Sequence, residues 1–334
     1  MPTTGTALAL AAAVLFAALM GASIQRGATC TVAAVDELVN HRRSTRLRSL
    51  AEAAVWVGVG LLLARSAGLL VQWPGGHALG WQTLLGGALL GGGAYLNRAC
   101  VFGAIARLSS GEWAYAATPV GFYAGCHLFL KVGHGMSPPA LQAAPPIMRL
   151  PPEAACALGA LIVLRIGWGS WRSVTAAPPA GQAPASRLSR ALASLWSPGP
   201  ATLLIGLSFL AMMLLAGPWA YTELLADWAR DMAGHASMRA LLAVSLLAGA
   251  GIGGWRAGKW RPVAPRPALL LRCFCGGALM GFGSLFIPGG NDGLILVGMP
   301  LLWPYAWVAF ASMALAIAWL MWLANRWEWH RCGR

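Results

Sequence analysis

Long apolar runs alternate with short polar or basic interruptions along the whole chain. The runs cover residues 7–20, 53–71, 155–166, 201–215, 240–252 and 306–323. A membrane-crossing helix needs about 20 mostly apolar residues, and several of these runs reach that with their flanks. Two others, 84–96 and 119–130, are short and glycine-laden, which predicts tilted spans or half-helices. The pattern therefore predicts an all-α polytopic membrane protein with about nine transmembrane helices. The first run has no basic residue before Leu8 and no clear small-x-small cleavage site, so it is read as a span that stays.

The interruptions repeat. When residue 86 is laid over residue 276, GGALLGGGAYLNRACVFGAI (86–105) lies over GGALMGFGSLFIPGGNDGLI (276–295). In that register Cys100 meets Gly290. A weaker third copy, GASIQRGATC (21–30), keeps the Gly-to-Cys interval of residues 91–100. Small residues allow close helix packing, and that plainer role covers most of these glycines. It does not cover the Asn-Arg-Ala-Cys and Pro-Gly-Gly-Asn-Asp that follow. Paired, interrupted apolar segments point to a transporter's substrate site, because irregular backbone at membrane depth must be buried in protein or line a polar cavity. The expected organisation is one membrane-embedded domain, 1–334. Its first half is 1–171 (repeat at 84–113), followed by a cytoplasmic Pro/Ala/Ser/Arg linker, 172–200, and a second half, 201–334 (repeat at 274–303).

Composition supports the membrane reading: 58% of the 334 residues are hydrophobic and 10% charged, with a mean hydropathy of +0.63. A soluble globule carries about 25% charge. The net charge of +14 would suggest nucleic acid in a soluble protein, but here it gives topology instead. Basic clusters fall at 41–48, 165–190, 256–272 and 326–334, while the connection 219–238 carries Glu223, Asp227 and Asp231. The positive-inside rule puts the basic clusters in the cytoplasm, the acidic loop and N-terminus outside, and the C-terminus inside.

No soluble-enzyme motif is present. There is no Gly-x-x-x-x-Gly-Lys-Ser/Thr phosphate loop, and the histidines share no metal-ligand spacing with the cysteines. No metal or cofactor is expected. Cys126, Cys156 and Cys332 read as small core fillers, and Cys273-x-Cys275 is not the redox spacing. Among polar residues near the breaks, Arg107, Glu37 and Glu112 read as helix ends at the headgroups. Arg26, Arg98 and Asp292 are open between a substrate role, a helix end and a structural ion pair.

IQRGATCTVAAVDEL (24–38), NRACVFGAIARLSSGEW (97–113) and GGALMGFGSLFIPGGND (276–292) together resemble the YeeE/YedE sulfur-transport family. The resemblance implies a multipass protein of the bacterial inner membrane with two pseudo-symmetric halves and short re-entrant or broken helices. It implies uptake of a small sulfur anion such as thiosulfate, handed along cysteine thiols at a constriction. Cys30 and Cys100 match two of those cysteines, and Gly290 stands where a third is expected. Backbone N–H groups of Gly289 and Gly290, or the Asn291 amide, are the replacements this chain offers. Arg26, Arg98 and Asp292 complete the candidate substrate-binding set. The expected partners are the sulfur anion, the bilayer and a sulfur-carrier or sulfurtransferase protein on the cytoplasmic side, with no nucleic acid. The competing readings are a membrane-embedded sulfur-handling redox enzyme and a non-catalytic partner subunit of a larger permease.

Overall fold

The structure, a computed structural model, describes residues 4–27, 29–69, 73–133, 135–175, 196–230, 236–287 and 289–332. It is almost wholly helical, with one small ribbon in which Gly76–His77 pairs antiparallel with Ala140–Leu141. In chain order the first helices are α1 (Thr4–Gly27), α2 (Thr31–His41), α3 (Thr45–Ser66), α4 (Trp81–Asn97) and α5 (Val101–Ser109). Next come α6 (Ala117–Val132), α7 (Pro152–Thr175), α8 (Pro198–Ala216) and α9 (Tyr221–Ala229). The last are α10 (Ala236–Arg256), α11 (Pro267–Phe286), α12 and α13 (Pro304–Cys332), where α12 is a helical turn, Asn291–Gly293, continued by a π-helical turn, Leu294–Gly298.

The register found in the sequence, 86 on 276, carries one set of helices onto another. It takes the start of α2 to 221, the start of α5 to 291 and the end of α3 to 256, where α9, α12 and α10 have those same bounds. It also takes the α2 cap, Cys30, to Ala220, the cap of α9, and the α5 cap, Cys100, to Gly290, the cap of α12. Each matched cap has extended backbone, so four long helices stop, turn and restart as short ones. Local chemistry makes the turns. Arg98, after α4, takes a left-handed conformation (φ 56°), and the buried Asn97 amide donates to Ala99 O at 2.9 Å while accepting Thr118 Oγ1 at 3.1 Å. After α11 the turn needs Gly289, whose φ of 115° suits only glycine.

Which way each helix runs follows from its close contacts. Gly21 approaches Leu246 and Gly253 approaches Ala22, so α1 and α10 are parallel; α4 and α13, paired at Gly87–Ala309 and Gly91–Met313, are parallel too. By contrast α4 and α11 are antiparallel, with Gly86 against Gly283 and Gly93 against Gly276. α1 and α4 therefore end on the face that carries the basic loops at 42–48 and 256–266, and there α3, α6, α8 and α11 begin. Gly27, at the end of α1, meets Ala201 near the start of α8, so α8 starts where α1 ends and runs opposite to this counterpart. The repeat is inverted. The short helices α2 and α5 run from their interior caps out to the basic face, whereas α9 and α12 run from theirs to the opposite face.

Seven helical segments among the described residues are long and apolar enough to cross a membrane. The expectation of about nine also counted α6 and α7. α6 has only 16 residues, about 24 Å of helix, and the apolar core of α7 is confined to Cys156–Arg165. The structure corrects one reading outright: 219–238 is not simply an acidic loop. Its first part is α9, with Thr222, Leu224, Leu225 and Ala226 buried; Asp231 lies outside the described residues. The expected linker 172–200 is helical at both ends, with 176–195 outside the described residues.

Glycine lets the backbones of α6 and α11 touch. A Cβ at Gly125 would lie 1.9 Å from Ala278 O, and one at Gly281 would lie 2.0 Å from Phe122 O. With lipid outside there is little hydrophobic drive between helices, so such close approach is what holds the pair. Gly125→Val is therefore expected to abolish or sharply reduce the yield of monodisperse protein in detergent. Gly251→Ala, at a site with open space around it, is expected to leave the yield and the melting temperature unchanged.

Candidate functional site

The first residues of the four short helices meet in the interior, and each has a side chain from another short helix on one of its free N–H groups. Helix N-termini carry unpaired N–H donors and a partial positive charge. At α2, Thr31 N–H donates to Cys100 Sγ at 3.2 Å. At α5, Val101 N–H donates to Asn291 Oδ1 at 3.4 Å. At α9, Thr222 N–H donates to Asp292 Oδ2 at 3.1 Å, and the Thr222 hydroxyl donates to Asp292 Oδ1. At α12, Gly290 N–H donates to Thr222 Oγ1 at 3.2 Å. The contacts form a chain running α2–α5–α12–α9.

On the basic-face side this junction is built of sulfur. Cys30 and Cys100 lie within hydrogen-bonding reach of each other. Gly103 opens the space for Cys30: a Cβ there would sit 2.6 Å from Cys30 Sγ. A thiol is a weak donor and a soft, polarizable acceptor, so two side by side offer a station that binds without trapping. On the opposite side the same backbone geometry carries oxygen. Ala220 replaces Cys30 and Gly290 replaces Cys100, while Thr222 and Asp292 supply the polar atoms. Asp292 is 1% exposed and pairs with no Arg among the described residues; its charge faces the α9 N-terminus, which it caps.

Of the seven buried side-chain polar atoms without a hydrogen-bond partner among the described residues, four lie at the breaks. Thr29 Oγ1, Thr31 Oγ1, Trp219 Nε1 and Asn291 Nδ2 have no hydrogen-bond partner among the described residues, and each belongs to a residue next to one of the caps Cys30, Ala220 and Gly290. All four residues are more than nine-tenths buried. A buried donor left unsatisfied costs about 1–3 kcal/mol, so the Trp219 and Asn291 N–H groups are open to an acceptor.

Two clefts approach the junction from opposite faces. The larger, about 610 Å³, opens on the basic face between Ala33, Asp36, His41, Arg43 and Arg46. Ala33 is one turn of α2 from Cys30. The other, about 270 Å³, descends past His77, Arg230, Arg239, Tyr305 and the carboxylates of Glu223 and Asp227 to Thr222, Gly289 and Gly290. Both arginines are paired with Asp227. Burial holds the His77 imidazole below its ordinary pKa, opposed by a backbone bond to Pro138 and reinforced by the charge of Arg230.

The structure thus brings Cys30, Cys100, Gly290, Asn291 and Asp292 together, with Gly289 lining the second cleft. The Gly290 N–H is committed to Thr222. Arg26 sits on the last turn of α1 with its guanidinium 4.1 Å from the centre of the Trp196 ring, and Arg98 is an exposed residue at the end of α4. Among the other cysteines, Cys126 is a buried filler as expected, its thiol on Gly281 O at 3.3 Å. Cys156 is not: it is exposed on α7, a helix whose main packing is against α3. The side chain of Cys332 lies outside the described residues. Cys273 is buried and Cys275 exposed, so they point apart, as alternate positions on a helix must. Sequence reasoning missed Ala220, Trp219 and Thr222. The one available signal was Gly217, which falls on Gly27 in the register that lays 276 on 86.

None of the curated proteins compared with the chain matches it. The family model described as sulphur transport matches residues 26–319, a span that holds all four breaks, both clefts and every candidate residue. The chain belongs to the sulphur-transport family.

Proposed function

We propose that this protein carries a small sulfur-containing inorganic anion, with thiosulfate the foremost candidate, across the bacterial inner membrane. The carrying observation is the group of buried, unpartnered polar atoms at the helix breaks, beside two thiols and the N-termini of α2, α5 and α9. Donors and positive helix ends favour an anion. Passage requires sites strong enough to enter and weak enough to leave, and thiols in series meet that need better than arginines would. The far-face cleft reaches Thr222, Gly289 and Gly290, and the basic-face cleft comes within one turn of α2 of Cys30. Placing the basic face in the cytoplasm puts the N-terminus outside and the C-terminus inside. Membership of a transport family supports a path rather than a catalyst, and a sulfur-carrier protein at the basic face is the partner that would take the delivered sulfur. In this reading Arg26 and Arg98 act at the basic-face rim of the path rather than at its centre.

Expression in a bacterium lacking its own thiosulfate uptake is expected to restore growth on thiosulfate, and Cys100→Ala to lower uptake at least tenfold. Unimpaired uptake by the Cys30→Ala, Cys100→Ala double variant would falsify the thiol route. A separate measurement addresses the amide: Asn291→Asp, the same shape with a donor replaced by a carboxylate oxygen, is expected to lower thiosulfate flux in proteoliposomes at least tenfold. Flux equal to that of the unaltered protein would remove Asn291 from the path.

A further inference from the structure

Gly290 and Thr222 fit each other in a way that the absence of a thiol at residue 290 does not by itself require. A Cβ built on Gly290 would lie 2.5 Å from Thr222 Oγ1, 2.6 Å from its Cγ2 and 2.7 Å from its Cβ. The neighbour is a β-branched side chain with little rotamer freedom. It is held by three hydrogen bonds: to Asp292 through its N–H and hydroxyl, and from Gly290 N–H at 3.2 Å. The volume a cap-position side chain would take is therefore already filled. By the internal repeat, the matching place in the first half belongs to the side chain of Cys100, which likewise accepts an N–H from the facing short helix. Thr222 also lines the cleft on the far face, together with Gly289 and Gly290.

We propose that Thr222 is a selectivity-determining residue of the transport path, its hydroxyl taking the station that a thiol takes at Cys100. This rests on the transport reading above and adds to it the chemistry of the far-face end. A hydroxyl makes shorter and stronger hydrogen bonds to oxygen than a thiol does, and it is less polarizable towards a terminal sulfur. An anion arriving through the far-face cleft meets an oxygen-selecting station first and the paired thiols second. The hydroxyl proton can swing from Asp292 to the anion about the Cβ–O bond with the side chain in place, because Asp292 keeps its separate bond to Thr222 N–H. The path should therefore require oxyanion oxygens on its substrate as well as sulfur, and discriminate less sharply for terminal sulfur than an all-thiol path would.

The test is flux of thiosulfate and of sulfate into proteoliposomes of the full chain, expressed as a ratio. Thr222→Val keeps the shape and removes the hydroxyl; it is expected to change the ratio at least threefold, which a purely structural role would not do, since that lowers both fluxes alike. Thr222→Cys serves as a second variant should the valine protein fold poorly, and is expected to raise the ratio towards thiosulfate at least threefold. Gly290→Cys alone is expected to cut folded yield several-fold, and Gly290→Cys with Thr222→Ala to restore it. A ratio within the measurement error of the unaltered protein in both Thr222 variants overturns the proposal, as does a Gly290→Cys single variant with normal yield and normal ratio. The unaltered protein separates the two readings. If it moves neither anion, the transport reading falls and takes this role with it; if it moves them and the Thr222 variants match it, only this proposal falls.

Discussion

The constraint on which the structure depends is the fate of backbone N–H groups where a helix restarts inside a membrane. Water cannot satisfy them there, and each one left bare costs several kcal/mol in hydrocarbon, on the order of a large mutational effect. Four helices restart in this chain, and the solution is mutual: each start is capped by a side chain from another start. That makes the junction cooperative. Cys100, Asn291, Asp292 and Thr222 are structural caps and, in the proposed path, also the polar groups nearest a passing solute. Asp292 accepts from the Thr222 N–H at the positive end of α9, which offsets part of its charge.

An inverted repeat gives both faces the same extended caps, and the caps differ in their side chains. On the basic-face side the polar groups are the sulfurs of the cap residues Cys30 and Cys100. On the other side the caps are Ala220 and Gly290, and polarity has moved two residues into the helices, to Thr222 and Asp292. The rigid frame around them is set by the glycine contacts of α4, α6, α11 and α13, where backbones approach within the space of a missing methyl group. Such a frame holds the small junction to tight tolerances, as the proposed path requires.

Much of this was legible in the sequence, and the physical reason is plain in particular residues. The α4–α5 and α11–α12 units show as a repeat because both use glycine for packing and then break, so Gly86, Gly91 and Gly93 find matches at Gly276, Gly281 and Gly283. The break at Cys30 was visible through its spacing alone. The fourth break was not. α8 packs with bulky residues such as Phe209 and Met212 rather than with a glycine stripe, and α9 carries Glu223 and Asp227, which read as a solvent-facing loop. Thr222 gave no signal at all, since a threonine in an acidic stretch is ordinary. Only the fold sets it against Gly290, 68 residues away.

Helix lengths fix how thick the barrier can be. α2 has 11 residues and α5 and α9 have 9 each, or about 16 Å and 13 Å of helix. A hydrocarbon core is about 30 Å thick. A short helix that starts on one face and points its N-terminus inward therefore reaches close to the midplane and no further. Two such helices from each face meet there with their positive ends towards one another, an arrangement that would repel itself without the caps and that gains from any anion placed between them. In the proposed path the solute would have only the depth of one junction to cross, between the Thr222 hydroxyl and the Cys30 and Cys100 thiols. On that reading a barrier so thin needs no large conformational change to let an anion through. It needs only that the hydrogen bonds holding the caps be exchangeable, one at a time, for bonds to the passing ion.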